Sequence, residues 1–163
     1  MHVLYRINPA TQLLMKVDDG KYRTKIIELD NIIHIDQDPL EIIDENCTSS
    51  GASLEGRSAT VRRILNSNTN LPIPVHVHEG VYLFPTISTS NDNCIWISYF
   101  HIFSHEPLGN KSLITFQNGQ QIIVDLSYNR LDKQKKRTSE VIAYFYRLGH
   151  FPNYCFRKEK QLQ

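Results

Sequence analysis

The residues of this chain best suited to chemistry are cations, and they fall into two groups. Arg130, Lys133, Lys135, Lys136 and Arg137 put five positive side chains into eight residues, diluted only by Asp132. Such a density creates a local positive potential that suits phosphates. Binding of that kind releases counterions and weakens steeply with salt. Arg57, Arg62 and Arg63 form the second group. A guanidinium is weakly hydrated, so it suits a narrow, negative minor groove better than an ammonium does. Each group has an ordinary alternative. A charge run is commonly a solvated face, and an Arg on a helix often snorkels or pairs with a nearby acid.

The histidines suggest a different chemistry. His76 and His78 stand two apart in a run that reads as a strand, so both would point to one side. With His101 from another strand they would make the ligand set of a cupin-like metal enzyme or sensor. Glu79 comes too soon after them and would project to the opposite face, and strand histidines without a metal are the commoner case. Cys94 with His101 or His105 is the available nucleophile and base pairing, and no GxxxxGK or GxGxxG loop is present. Cys47, Cys94 and Cys155 form no CxxC pair, which argues against a disulfide framework and for a reducing compartment. No cofactor is expected.

Size and charge bound the answer. The 163 residues, 40% hydrophobic and 21% charged, fit one domain with a real core. No apolar run approaches the roughly 18–20 residues that cross a bilayer. The opening MHVLYRINPATQ lacks the pattern of a secretory signal, so a cytoplasmic protein without a membrane partner is expected. The net charge of +1 hides an asymmetry: residues 1–56 carry −5 and residues 57–163 carry +6. The basic part can face DNA while the acidic part faces away, or faces another protein.

The elements that must hold these groups read as follows. Val3–Asn8, Gln12–Val17, Tyr22–Leu29 and Ile32–Ile35 are strands, with a hairpin turn at Asp18-Asp19-Gly20. Asp38-Pro39 starts a helix with Leu40, Ile43 and Cys47 on its apolar face. Ala52–Leu65 is an ambiguous helix weakened by Gly56. A polar loop at Asn66–Asn70 precedes an edge segment bracketed by Pro72 and Pro74. Val75–His78, Val81–Phe84 and Ile95–Ile102 are strands, the last apolar on both faces and therefore central. Ser112–Phe116 and Gln121–Leu126 flank Asn118-Gly119, a type I′ signal that asks for positive φ at both residues. Arg130–Leu148 is the best helix, exposed and basic in its first half, with Gly149 as its stop. The fold class is α+β: one domain over residues 1–149, mostly antiparallel sheet with two or three helices including a C-terminal one, then a short tail over 150–163. The aromatic residues Tyr144, Phe145, Tyr146, Phe151, Tyr154 and Phe156 near the end are read as packing residues more than stacking ones.

An ordered series of motifs adds a family resemblance. KIIE at Lys25–Glu28, PLEIIDENC at Pro39–Cys47 and the pair Gly56-Arg57 come first. LFPTISTSNDNCIWIS at 83–98, SLITFQNGQQIIVDL at Ser112–Leu126 and SYNRLDKQKKRT at Ser127–Thr138 follow. In this order they resemble the ComK family of competence transcription factors, over roughly residues 21–138. The resemblance implies a double-stranded DNA-binding activator of competence genes, without catalytic activity. It also implies recognition of A/T-rich minor-groove sites by a dimer or tetramer. RNA polymerase and an adaptor of the Clp protease are the implied protein partners. Arg57 lies in a motif of that family, and the basic cluster at 130–137 directly follows another.

Overall fold

The computed structural model describes residues 3–151. Nine strands and three α-helices follow one another as β1 (Thr11–Lys16), β2 (Thr24–Glu28), β3 (Ile32–Ile35), α1 (Pro39–Ser49), α2 (Leu54–Leu65), β4 (Ile73–His76), β5 (Val81–Pro85), β6 (Ile95–Ser98), β7 (Ile102–Leu108), β8 (Lys111–Phe116), β9 (Gln121–Val124) and α3 (Tyr128–His150). They build two antiparallel sheets, one in the order β3-β2-β1-β6-β5-β4 and one in the order β7-β8-β9. This is the expected α+β fold with a C-terminal helix.

Local chemistry explains the first hairpin. Gly20 sits at φ +82°, and the Asp19 carboxylate accepts from the backbone N–H groups of Lys21 (2.9 Å) and Tyr22 (2.7 Å). That closes the β1–β2 turn where the sequence signals it. β4 carries Pro74 and lies at the edge of the larger sheet, as a residue without an N–H requires.

β6 runs between β1 and β5, and its alternation divides the apolar interior in two. Trp96 faces a core with Leu14, Ile26, Ile42, Ile43, Val61, Leu83 and Val141, so α1 and α2 cover that side. Ile97 faces a second core with Leu13, Phe84, Ile102, Ile114, Phe116, Val124 and Leu131, closed by the smaller sheet. α3 serves both, since Leu131 belongs to the second core and Val141 to the first. Its buried positions Leu131, Gln134, Thr138 and Val141 follow the helical period. Gln134 donates to the carbonyls of Pro85 (2.9 Å) and Asn70 (2.6 Å), so a buried amide lets α3 pass across the sheet where β4 has not yet begun.

Several expectations are corrected. Val3–Asn8 forms no strand. Instead the buried carboxamide of Asn46 on α1 accepts from the Ile7 N–H and donates to the Tyr5 carbonyl, both at 2.9 Å, taking the place of a neighbouring strand. Asn46 therefore shares the buried face of α1 with Pro39, Ile42, Ile43 and Cys47, while Leu40 is left at the margin, 37% exposed. Ile95–Ile102 is not one strand: a 3₁₀ turn at Tyr99–His101 ends β6 and sends the chain into the smaller sheet as β7. Val75–His78 likewise breaks after His76, where a 3₁₀ turn spans Val77–Glu79. Asn118 is absent from the positive-φ residues while Gly119 has φ +87°. Gly119 N–H bonds to Phe116 O and Phe116 N–H to Gln120 O, a longer turn with a left-handed glycine in place of type I′.

The helix ends also have causes. In α2 Gly56 occupies the first turn, where its N–H is satisfied by the Ser53 hydroxyl at 3.1 Å, and the ladder loses little by it. α3 starts two residues before the expected Arg130, capped by Ser127, and continues through Gly149 to His150. Of the expected tail, residues 152–163 lie outside the described residues, with Cys155, Tyr154 and Phe156 among them.

Candidate nucleic-acid interface

α2 and α3 pack against each other. Arg57 at the start of α2 lines one cleft with Phe145 and Leu148 near the end of α3. The loop after α2 meets the middle of α3 through Arg137. The two helices therefore run antiparallel, and the two basic segments, some seventy residues apart in sequence, are brought onto adjoining elements.

The eight cations expected at the interface divide by what their charged ends touch. Arg57 is committed to the fold. Its guanidinium donates to the carbonyls of Ala52 (3.0 Å), Pro74 (2.8 Å) and Cys47 (2.9 Å), tying α1, α2 and β4 together. Arg137 is committed as well. It donates to Asn70 O (3.2 Å), Thr69 O (2.7 Å), Ser67 Oγ (3.1 Å) and Gln134 Oε1 (2.7 Å), latching the 66–70 loop onto α3. Burial pushes its pKa down from the ordinary Arg value, with Glu140 opposing.

The others present their charge outward to different degrees. Arg62 pairs with Glu55 at 2.9 Å on the surface of α2. Arg63, Arg130 and Lys133 are exposed, and their side chains make no hydrogen bond or ion pair among the described residues. Lys136 pairs with Asp132 at 2.7 Å, yet 77% of its side chain remains exposed. Such a pair exchanges readily for a phosphate. Lys135 is half-buried with Nζ 3.2 Å from Nδ1 of His105, and desolvation lowers its pKa.

The 66–70 loop joins this surface without having been singled out as a site. Asn66 and Asn70 hold left-handed conformations, φ 48° and 51°, which asparagine tolerates because its amide hydrogen-bonds locally. Arg137 takes up backbone carbonyls of the loop, while Asn68 and Thr69 stay exposed. The signal available in the sequence was the run Asn-Ser-Asn-Thr-Asn, which offers uncharged donors and acceptors to phosphates or minor-groove edges.

The histidine trio does not converge. His76 is buried in β4, with Nδ1 2.6 Å from Ser50 Oγ and Nε2 3.2 Å from Asn46 Oδ1. Burial, helped by Arg6, lowers its pKa. His78 stands exposed in the 3₁₀ turn, and His101 bonds to the Pro9 carbonyl. Glu79 is paired with Arg6. Among the described residues no three His, Cys, Asp or Glu side chains are grouped to hold a metal ion. The cause is the end of β4 at His76, which removes the two-residue strand spacing on which the metal reading depended.

The thiols are equally unsuited to attack. Burial pushes the Cys47 pKa up to about 11, and it raises that of Cys94, whose Sγ donates to Ile87 O at 3.5 Å. Phe145 packs against the first core, as read, while Tyr146 lies outside and stacks on His150 with ring centroids 4.0 Å apart. Among the described residues no helix is long and apolar enough to cross a membrane.

Comparison with known proteins agrees with the motif series. The family described as ComK protein matches residues 3–147. The competence transcription factor of Bacillus subtilis (strain 168) is 33% identical over 137 residues, spanning 83% of this chain and 71% of that protein. No solved structure matches. The chain belongs to the ComK family.

Proposed function

We propose that this protein is a DNA-binding transcriptional activator of competence genes with no catalytic step of its own. It acts on A/T-rich duplex sites through the minor groove, as an oligomer. The Bacillus subtilis relative, named as a competence transcription factor, supports the general role. The observation that carries the finer reading is the division of the cations. Arg63, Arg130, Lys133 and Lys136 have no part in holding the fold and sit on two helices packed side by side. A loop of Asn, Ser and Thr, latched to α3 by Arg137, adjoins these helices.

The mechanism follows from electrostatics and shape. The four outward cations, with Arg62 released from Glu55, neutralise phosphates on either side of a groove. The loop amides supply hydrogen bonds that fix register. Arg57 and Arg137 act from behind, keeping the two helices and the loop in their relative places, and Lys135 contributes as its burial is relieved. A narrow A/T-rich groove has the more negative potential and so receives guanidinium groups best. A second copy on a neighbouring half-site, spaced by whole helical turns, would lie on the same face of the duplex. RNA polymerase is then stabilised at such promoters, and a Clp adaptor takes the protein for turnover in the cytoplasm.

Gel-shift titration against A/T-rich and G/C-rich duplexes across salt tests this. Preference for A/T-rich DNA with a steep salt slope supports the reading, while equal weak binding to both duplexes ends it.

A further inference from the structure

We infer that His105 is a positioning residue for the cationic half of α3: its imidazole draws Lys135 inward and, through Asp132, sets how freely Lys136 can meet a phosphate. This rests on the DNA-binding reading above and assigns a role to a side chain that touches no DNA.

His105 lies on β7 with only 7% of its side chain exposed, its ring stacked on Tyr128 at 4.6 Å and 23°. Lys135 Nζ stands 3.2 Å from Nδ1. An ammonium only donates, so Nδ1 must be the acceptor and the ring proton resides on Nε2. That Nε2 is buried without a hydrogen-bond partner and points at Asp132 Oδ1, 3.8 Å away. The second oxygen of Asp132 holds Lys136 at 2.7 Å. The ionisable groups facing the ring are thus Tyr128, Asp132 and Lys135 of α3, with Lys136 behind Asp132. From β8 the cross-strand neighbour is the buried, uncharged Ile114.

A second proton changes each contact. On Nδ1 it ends the acceptance from Lys135 and sets two positive charges against each other, so the Lys135 ammonium moves out to solvent. The imidazolium then attracts Asp132 through Nε2–H, and the hold of Asp132 on Lys136 loosens. Burial first, then Lys135, lowers the His105 pKa, with Asp132 opposing. The change therefore falls below the ordinary histidine range.

The test uses the full chain and an A/T-rich duplex, with the salt dependence of binding measured at about pH 7.5 and in steps down to about pH 4.5, well below the ordinary histidine value, and with folding checked by circular dichroism at each step. The one added phosphate contact, that of Lys135, steepens the slope of log K against log salt by about 0.9 at the lower pH, while Lys136, already outward, only meets its phosphate more freely. In His105→Asn, Oδ1 takes the place of Nδ1 and accepts from Lys135 without titrating, so the slope stays at its higher-pH value throughout. Lys135→Met removes the gain, since it deletes the added contact. It also keeps the test available should His105→Asn not fold. Equal pH responses in the wild type and either variant overturn the inference, as does A/T-rich binding whose slope ignores pH. Failure of the folded wild type to bind A/T-rich DNA at any of these pH values overturns the DNA reading and this inference together.

Discussion

Arg57 Nη1 and the Pro74 carbonyl oxygen lie 2.8 Å apart, joining the first turn of α2 to β4. β4 is the edge of the larger sheet, so an outward carbonyl there has no strand to meet, and a guanidinium supplies the donor. The same group reaches Cys47 O at 2.9 Å at the end of α1.

Arg57→Ala is therefore expected to act on stability. It leaves the part-buried Pro74 carbonyl without a donor, while Cys47 O keeps the N–H groups of Ser50 and Ala52, at a cost of roughly 1–3 kcal/mol in urea unfolding. Arg57→Lys does not restore it, because one ammonium cannot span the three acceptors. The salt slope of DNA binding by the folded fraction stays unchanged. A lowered slope with unchanged stability would instead put Arg57 on the DNA.

Replacing Arg63, Arg130, Lys133 and Lys136 together by Gln should do the reverse. Thermal unfolding changes little, since none of the four holds a buried partner. The slope of log K against log salt falls by up to about 3.6, on the scale of about 0.9 per phosphate contact. A slope equal to the wild type's would remove these side chains from the interface.

Arg137→Ala releases the 66–70 loop. Hydrogen exchange at residues 66–71 is expected to lose protection while the β1–β2 hairpin keeps its own. DNA affinity falls severalfold with only a small change in salt slope, because the loss is of placement rather than of a phosphate contact. Unchanged exchange in the loop would show that the latch is dispensable.

Acid should destabilise the fold through His76. Its pKa is lowered by burial in the folded state, so the unfolded chain binds the proton more tightly. Above the ordinary histidine value of about 6.5 both states are neutral and nothing is lost. As pH falls from there towards the folded-state value, stability declines, and below that value the loss is complete. His105 shifts in the same direction and adds to it. Urea unfolding at a series of pH values should show the decline, and His76→Gln should remove part of the slope. An unaltered slope in that variant would place the acid sensitivity elsewhere.

Much of the framework was legible because it depends on short-range chemistry. β3 begins and ends where its apolar run does, and the Asp-Asp-Gly turn closes the first hairpin. Pro74 announces an edge, and the two-faced apolar pattern of β6 announces a centre. The failures arise where a distant partner decides. Val3–Asn8 has a strand's composition, but the carboxamide of Asn46, some forty residues on, supplies its hydrogen bonds. Tyr99–His101 continues the apolar alternation of β6 yet must turn, since the chain leaves one sheet for the other there. The candidate site was legible as charge and not as geometry. Nothing in the spacing of 130–137 separates Arg137, which turns in to the loop carbonyls, from Lys133, which turns out. That distinction needs the position of Asn70.

The pairing of β1 with β6 joins Met15 to Ile95, eighty residues apart. During synthesis at about 5–20 residues per second, the first hairpin waits on the order of 4–16 s before its neighbour exists. Over that interval the inner edge of β1 is bare hydrogen-bonding backbone flanked by Leu13 and Leu14. The nascent chain is then a substrate for strand-capturing chaperones and for aggregation, and slowing translation between residues 16 and 95 prolongs the hazard.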